Sequence, residues 1–389
     1  MKAQALSKTV WLVSLISLFT DAASEMLYPI MPSFLQSIGF SVLFIGILEG
    51  LAEALAGYSK AYFGKQSDYL QKRSVFVQAG YTLSAFAKPL MALASFPLWI
   101  FFTRLLDRLG KGIRSGARDS ILTAESTHEN KGKIFGFHRS MDTLGAVIGP
   151  CLALIYLYYN PGNYQTLFLL AFIPGILAVL VSLLLKDKIS TEPKVSTKPS
   201  FFKSFDYWKK APDGYKKLAT VLLIFALFNS SDLFLLMRAK ELGLSDTHIT
   251  LSYIFYNLVY ALFAFPMGLL GDKIGLKHTY IFGLILFALT YFGINYTTNL
   301  SSLLIVLFLY GLYAAASEGI TKALLAHTIP KHESGSAMGT FAGLQSIALL
   351  IASSLCGFIW FIGSAQWAFM TSAFVAIACG AYLWVTYKD

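Results

Sequence analysis

Apolar runs of about 20 residues recur along the whole chain, and they restrict its fold more than any other feature. A run of this length matches the number of helical residues needed to cross the hydrocarbon core of a bilayer. The chain is 56% hydrophobic and only 13% charged, well below the roughly 25% charged residues of soluble domains. The sequence therefore predicts an all-α membrane protein.

Short loops separate these runs, which predict twelve transmembrane helices. The predicted spans are about 9–30, 42–63, 74–95, 97–121, 134–157, 165–185, 218–238, 249–271, 279–295, 301–325, 336–361 and 366–387. The first run continues into Asp21 and Glu25 without a cleavage site, so we interpret it as a retained span rather than a signal peptide.

Loop charge sets the predicted topology. The alternate loops with KQSDYLQKR, ESTHENKGK, GDKIGLKH and PKHESGS are basic, whereas the loops near Phe96 and Asn160 carry almost no charge. Because basic loops remain in the cytoplasm, we expect a multi-pass protein of the bacterial inner membrane with both termini cytoplasmic. The net charge of +10 follows this membrane topology, so nucleic acid is not an expected partner.

One long polar segment separates two predicted domains. The N-terminal half covers 1–185, the basic connector 186–217 and the C-terminal half 218–389. The connector holds nine lysines and four acidic residues, a composition that favours contact with an anionic membrane surface. We interpret it as a plain flexible tether, with a short interfacial helix at Tyr207 and Trp208 as the alternative.

The two halves echo each other in sequence. Gly64, Asp68 and Arg73 follow span two, and Gly268, Asp272 and Lys277 follow span eight, 204 positions later. Gly132 and Gly136 open span five as Gly335 and Gly339 open span eleven, 203 positions later. A nearly constant offset indicates a duplicated unit. The predicted fold is therefore two six-helix pseudo-repeats around a central cavity.

These features resemble the major facilitator superfamily of secondary transporters. The resemblance covers essentially the whole chain, and it rests on the twelve spans, the basic central loop and the repeated G-x-x-x-D-x-x-x-x-[RK] element. The first copy departs from the family pattern at Tyr69 and Gln71, where Arg and Gly are usual. Gly145-xxx-Gly149-Pro150 in span five is similar to an element of the superfamily's proton-coupled exporters.

The resemblance implies a transporter rather than an enzyme, working by rocking of two halves, with no cofactor and with a monomer as the default. It also implies a gate in which a loop aspartate pairs with cations or helix N-termini to close the inner side. The expected gating residues are Gly64, Asp68, Arg73, Arg114, Arg118, Asp119, Gly145, Gly149, Pro150, Gly268, Asp272 and Lys277.

Span four carries a charged face that a lipid-facing helix could not have. Arg104, Asp107 and Lys111 follow one another at spacings of three and four, which places them on one side of a helix together with Arg108 and Arg114. Each charge at the bilayer centre costs roughly 3 kcal/mol or more, so this face must meet partners or a water-filled cavity. In the fold that the chain resembles, span four lines that cavity.

The excess of cations in span four predicts a substrate with a carboxylate or phosphate group, because arginine can grip two oxygens at once. The alternative is a net-neutral site, in which acidic residues neutralise these cations. The expected substrate-binding residues are Arg104, Asp107, Arg108, Lys111, Glu49, His138, Arg139, Asp232, Glu318 and Lys322.

Carboxylates in the spans are candidates for proton coupling, since a change of surroundings during transport would change their affinity for a proton. The candidates are Asp21, Glu25, Glu53 and Asp142. The alternative is a set of internal ion pairs that only orient the helices.

We therefore expect proton-coupled transport of a small anionic or amphiphilic solute, with export by antiport favoured. Proton-driven uptake of a metabolite or a metal–siderophore complex is the alternative. A lipid-modifying membrane enzyme is a distant alternative, for which His138 and Asp142 are the only close match. The expected partners are a small-molecule substrate, protons and the lipid bilayer, without a metal or cofactor.

Overall fold

The computed structural model describes residues 6–386 apart from 32–33, 36–37, 40–41, 95, 188–199, 201–204 and 245. The described residues form helices and connecting turns, with no strand among them. The helices are α1 Lys8–Glu25, α2 Val42–Leu70, α3 Arg73–Leu93, α4 Pro97–Glu125, α5 Lys131–Tyr159, α6 Tyr164–Ser182, α7 Tyr207–Lys210, α8 Asp213–Ala226, α9 Leu233–Glu241, α10 Asp246–Ile274, α11 Leu276–Gly293, α12 Leu300–His327, α13 Ser334–Ile362 and α14 Ala365–Thr386.

Polar residues and prolines fix several helix starts. The Ser7 hydroxyl accepts a hydrogen bond from the Val10 backbone N–H at 3.3 Å and caps α1. Asn299 and Ser302 form a reciprocal capping box at the start of α12. Pro97 opens α4, where its missing N–H would have no helical partner.

Most predicted spans are single helices. Seven of the described helical segments, beginning with Lys131–Tyr159, are long and apolar enough to cross a membrane. The charged face of α4 keeps that helix outside this set, although it is 29 residues long. Of the connector, Tyr207–Lys210 forms the short helix α7, and Tyr207 is buried. In this part of the connector the structure therefore has a short helix, the alternative to the plain flexible tether.

The prediction of a single helix over 218–238 is wrong. Span seven consists of two helices, with a break between Ala226 and Leu233. The break contains the run Asn229-Ser-Ser-Asp232. Side chains of these types hydrogen-bond to nearby backbone and compete with the helical ladder. An interrupted helix within a membrane protein is tolerated only where protein or a cavity satisfies its backbone groups.

Contacts divide the chain into two compact units. Unit 1 comprises 1–126, 141–211 and 329–346, and unit 2 comprises 127–140, 212–328 and 347–389. In unit 1, α4 packs on α2 and α3, while α6 packs on α1 and α3. In unit 2, α12 packs on α10 and α11, while α14 packs on α11 and α8. The same packing pattern therefore recurs at equivalent spans, as a duplicated sequence requires.

Close approach of α1 and α5 in unit 1 depends on Gly145. A Cβ at this position would overlap the Leu18 carbonyl oxygen and lie 3.1 Å from the Asp21 Cβ. We expect Gly145→Ala to lower the free energy of unfolding by about 1–3 kcal/mol, the usual cost of overpacking. Thermal unfolding of the detergent-purified protein measures this. Gly214→Ala is the matched control, since nothing lies within 4 Å of a Cβ there.

Candidate functional site

In unit 1, a group of cations surrounds the Asp107 carboxylate. Lys88 of α3 places its Nζ 3.4 Å from Asp107 Oδ1, and Arg104 Nη1 lies 3.9 Å from Oδ2. Arg108 is a third cation whose charge acts on Asp107, and the Ser84 hydroxyl donates a hydrogen bond to the same carboxylate. We call these residues the Asp107 cluster.

Lys88 is the most buried cation of this cluster and was not among the predicted site residues. It is 2% exposed, and its Nζ also donates to the Ser84 carbonyl oxygen at 3.1 Å. An ammonium group this deeply buried is costly unless it is paired. The sequence pattern does not single out Lys88, because it is the only charged residue in an apolar stretch of α3. Its partner Asp107 belongs to the next helix of the chain.

Arg114 follows the Asp107 cluster along α4, where its Cβ approaches Gly80 of α3. Its guanidinium carbon stands 4.4 Å from the centroid of the Tyr81 ring. The residue is 5% exposed, and its Nε and Nη1 atoms are buried without a hydrogen-bond partner. Stacking on an aromatic ring stabilises a guanidinium, but it supplies no acceptor for these N–H groups. An anionic ligand would supply them.

A second polar group in unit 1 joins α1, α4 and α5. The Ser17 hydroxyl donates to Asp142 at 2.5 Å, and Arg118 Nη1 donates to the Ser17 hydroxyl at 3.4 Å. Arg118 also pairs with Asp119 at 3.1 Å. The structure thus groups two predicted gating residues with Asp142, a proton-coupling candidate.

The remaining acidic candidates of unit 1 lie on α1 and α2. Asp21 and Glu25 are half-buried on α1, where they approach Gly145 and Gly149 of α5. The side chains of Glu49 and Glu53 lie outside the described part of the structure. Lys111 is half-buried on α4.

In unit 2, the break in span seven forms a polar site lined by tyrosines. Asp232 lies in the break and accepts a hydrogen bond from the Tyr256 hydroxyl. Asn229 donates to the Tyr313 hydroxyl at 2.9 Å. The Tyr256 ring meets the Tyr310 ring edge-on, with centroids 5.2 Å apart. The sequence predicted Asp232 as a binding residue, whereas these individual contacts appear only in the folded chain.

The other predicted binding residues also lie in unit 2. Arg139 forms an ion pair with Glu318 at 3.5 Å and donates a hydrogen bond to the Tyr260 hydroxyl. His138 is 2% exposed, and Lys322 is half-buried. Among the described residues, no group of three or more His, Cys, Asp or Glu side chains could hold a metal ion.

Asp68 caps the start of α13 within unit 1. Its carboxylate accepts hydrogen bonds from the backbone N–H groups of Gly335 at 3.1 Å and Ser336 at 2.6 Å. Arg73 lies 3.5 Å away and also donates to the Lys331 carbonyl oxygen at 3.1 Å. A carboxylate at a helix N-terminus is favoured by the helix dipole. Asp68 lies beyond the predicted span, and burial raises the pKa of this carboxyl to about 6, so it is ionised at neutral pH.

Asp272 makes the equivalent contacts within unit 2. Its carboxylate accepts from the backbone N–H groups of Gly132 and Lys133, each at 2.7 Å, at the start of α5. Lys277 instead places its Nζ 3.4 Å from the Trp384 carbonyl oxygen. The repeated aspartates therefore each cap the helix that opens with the repeated glycine pair.

The repeated glycines allow these helices to touch. In unit 1, a Cβ at Gly64 would overlap the Gly335 carbonyl oxygen and lie 3.2 Å from the Gly339 Cα. In unit 2, a Cβ at Gly268 would overlap the carbonyl oxygen of Gly132. Each aspartate, glycine pair and helix start forms one arrangement, which we call the glycine–aspartate latch.

Long apolar helices, buried charges and a repeated glycine–aspartate element are typical of polytopic membrane transporters. A family model described as Major Facilitator Superfamily matches residues 13–238 and 218–389. The chain belongs to the major facilitator superfamily, and it is a transporter rather than an enzyme. This confirms the predicted all-α fold with twelve transmembrane helices in two halves.

Individual proteins similar to this chain include a relative matched over nearly its whole length, a partial relative and a solved structure with the same fold. An uncharacterised MFS-type transporter of Methanocaldococcus jannaschii is 33% identical over 385 residues, which cover 97% of this chain and 94% of the relative. The chloramphenicol resistance protein CraA of Acinetobacter baumannii is 28% identical over 163 residues, covering 41% and 40% of the two chains. The crystal structure of the human organic anion transporter MFSD10 has a TM-score of 0.84 at 17% identity, covering 96% and 98%.

Proposed function

We propose that the protein transports a small solute with a carboxylate or phosphate group by alternating access coupled to protons. The observation that carries this proposal is Arg114, which is buried in unit 1 with two nitrogens that lack an acceptor. A buried guanidinium whose N–H groups lack acceptors is destabilising. A bound oxyanion offsets this cost through short charge-assisted hydrogen bonds. The positions of Arg104 and Arg108 on the same helix, α4, support the same ligand.

Coupling to protons is the second part of the proposal. Asp142 lies beside Ser17 and Arg118, and Asp21 and Glu25 lie half-buried on the neighbouring α1. A cation that moves towards or away from a carboxylate changes its affinity for a proton. Conformation and protonation are then linked, as secondary transport requires.

Export by antiport is the direction we favour. The Gly145, Gly149 and Pro150 element packs α5 tightly on α1 and is similar to an element of proton-coupled exporters. The partial relative named as a chloramphenicol resistance protein also supports export. Uptake by symport is the second candidate. The charged residues of α4 favour it, because an anion and a proton that bind close together bind cooperatively.

We further propose that both termini and both glycine–aspartate latches face the cytoplasm. The basic loops and the basic connector support this orientation. In each latch, an aspartate in the last turn of one helix holds the start of another helix, an arrangement suited to a gate that opens and closes at the inner face of the membrane.

A thermal-stability screen of the detergent-purified protein at about pH 6 and about pH 8 tests the proposal, since a ligand of the folded state raises the unfolding midpoint. Citrate, benzoate and inorganic phosphate are the anionic probes, and tetraphenylphosphonium is the cationic probe. We expect at least one anion to raise the unfolding midpoint of the wild type. Arg108→Ala should reduce this increase, because it removes a positive charge next to Asp107. The exposed Lys217 provides the control variant Lys217→Ala. Stabilisation by the cation alone would overturn the anion assignment.

A further inference from the structure

We infer that the break in span seven binds a sodium ion, which is held by oxygen atoms of unit 2. The inference goes beyond the proposed function, because it concerns a second ligand and a different unit of the chain. It does not depend on anion transport. The site consists of the end of α8, the run Asn229-Ser-Ser-Asp232 and the tyrosines that contact this run.

The first argument is that polar atoms in the break are buried with unused bonding capacity. Ser230 is 3% exposed, and its hydroxyl has no hydrogen-bond partner of normal geometry among the described residues. The Asn229 side chain donates to the Tyr313 hydroxyl at 2.9 Å, while its amide oxygen is buried without a donor in the described part of the chain. Buried oxygen atoms left in this way are destabilising, and a coordinated cation offsets that cost.

The second argument comes from the backbone at the break. Helix α8 ends at Ala226, and the backbone N–H groups of the next three residues bond back to the carbonyl oxygens of Leu223 and Phe225. The last carbonyl groups of a helix have no helical partner, and they form the negative end of its dipole. Interrupted helices of membrane transporters coordinate sodium with such carbonyl groups. The end of α8 therefore adds backbone oxygens to those of the side chains.

The third argument is that a carboxylate and neutral oxygens lie on one group of aromatic rings. The Tyr256 hydroxyl donates to Asp232, and Asn229 donates to the Tyr313 hydroxyl. The rings of both tyrosines pack on the ring of Tyr310, with centroids 5.2 and 5.5 Å away. The Asp232 carboxylate and the Asn229 amide are thus brought to the same cluster of side chains.

The composition of this site favours a small monovalent metal ion. One carboxylate balances one positive charge, whereas calcium takes about six to eight oxygen ligands, several of them from carboxylates. The hydroxyls of Ser231, at 3.3 Å, and Tyr256 both donate to Asp232. These donors are neutral, so the two contacts orient the carboxylate and leave its negative charge.

The packing of the tyrosines favours an ion over an organic cation. The rings of Tyr256 and Tyr310 meet edge-on, and these residues are only 4% and 8% exposed. Rings in direct contact leave room for a bare ion, whereas an amine with its substituents would have to separate them. Sodium bound in the break would also hold α8 and α9 in one arrangement, because its ligands come from the segment that joins them.

Thermal unfolding of the full-length protein in detergent tests the inference without any candidate anion. Scans are run in sodium, potassium and choline chloride at the same concentration of about 0.15 M, so that screening by salt is constant. We expect the unfolding midpoint to be about 2 °C or more higher in sodium than in the other two salts, because a ligand of the folded state raises it. A midpoint in potassium or choline equal to that in sodium, or above it, would overturn the inference.

Variants of the break separate binding at this site from a general effect of sodium. Asp232→Asn keeps the shape of the side chain but removes its charge, and we expect it to abolish the shift between sodium and choline. Ser230→Ala should reduce the shift and leave the midpoint in choline unchanged or higher, because the hydroxyl has no partner there. Asp213→Asn, at the exposed start of α8, is the matched control and should keep the full shift.

Equilibrium dialysis with radiolabelled sodium measures the same site directly. We expect saturable binding of a single ion per wild-type molecule, no binding by Asp232→Asn, and affinity at least about tenfold weaker in Ser230→Ala, which corresponds to the loss of one ligand. If Asp232→Asn does not fold, Ser230→Ala decides the outcome. Absence of binding by the wild type, or equal affinity in the wild type and Ser230→Ala, would overturn the inference and leave the anion proposal untouched.

Discussion

Arg114→Met is expected to abolish stabilisation by an anion and, at the same time, to raise the thermal midpoint of the anion-free protein. The two effects have one cause. The guanidinium is buried with two nitrogens lacking acceptors, so it destabilises the empty protein and binds the anion. Removing one partner of a buried charge pair costs about 2–5 kcal/mol of binding free energy. In the anion-free protein, replacing Arg114 by a neutral side chain of similar length removes an uncompensated buried charge. Unfolding scans with and without citrate, benzoate or phosphate measure both effects.

Arg238→Met is the matched control, since Arg238 pairs with Glu241 at 2.6 Å and is partly exposed. We expect this substitution to leave the effect of anions unchanged. A structural role for Arg114, supported only by its stacking on Tyr81, predicts the opposite result for the anion-free protein. In that case Arg114→Met would lower its midpoint, and the anion effect would persist.

Gly64→Val is expected to disrupt the glycine–aspartate latch of unit 1 and to eliminate transport. The new side chain would overlap the Gly335 carbonyl oxygen and approach the Gly339 Cα, and backbone atoms cannot move aside as a flexible side chain can. The start of α13 must then leave α2, which also breaks the hydrogen bonds from Gly335 and Ser336 to Asp68. We expect a loss of at least about 3 kcal/mol in the free energy of unfolding, the upper part of the overpacking range.

The duplicated arrangement supplies an internal comparison. Gly268→Val in unit 2 should have a similar effect, because a Cβ there overlaps the Gly132 carbonyl oxygen. Gly214→Val should be nearly neutral, since its surroundings are open. Normal stability and flux in the Gly64 variant would show that the helix contact at this point is not required.

The helices and the duplication were accessible from the sequence because they depend on local pattern. Long apolar runs predict spans directly, and the constant offset between Gly64 and Gly268 marks equivalent positions. The pairing of spans within each unit then follows the same pattern twice. The helix start that each aspartate caps could not be predicted in this way, since Asp68 and Gly335 are distant along the chain and meet only through packing.

Three features of the site were not predicted in full from the sequence pattern. The break in span seven is hidden by apolar residues on both sides, although the run Asn229-Ser-Ser-Asp232 was a usable signal. Lys88 is a single lysine in an apolar helix, and its importance depends on Ser84 and Asp107, which only packing brings together. Arg114 was predicted on the charged face, but its missing acceptors are a property of the three-dimensional surroundings.

Solute flux into proteoliposomes tests the central claim most directly. Purified protein is reconstituted, a pH gradient of about two units is imposed, and movement of labelled citrate, benzoate, phosphate or tetraphenylphosphonium is followed for wild type and Arg114→Met. The account predicts that at least one anion moves in the wild type, that the gradient accelerates it, and that Arg114→Met reduces the flux to that of empty liposomes. Transport of tetraphenylphosphonium but of no anion, or anion flux unchanged in Arg114→Met, would contradict it.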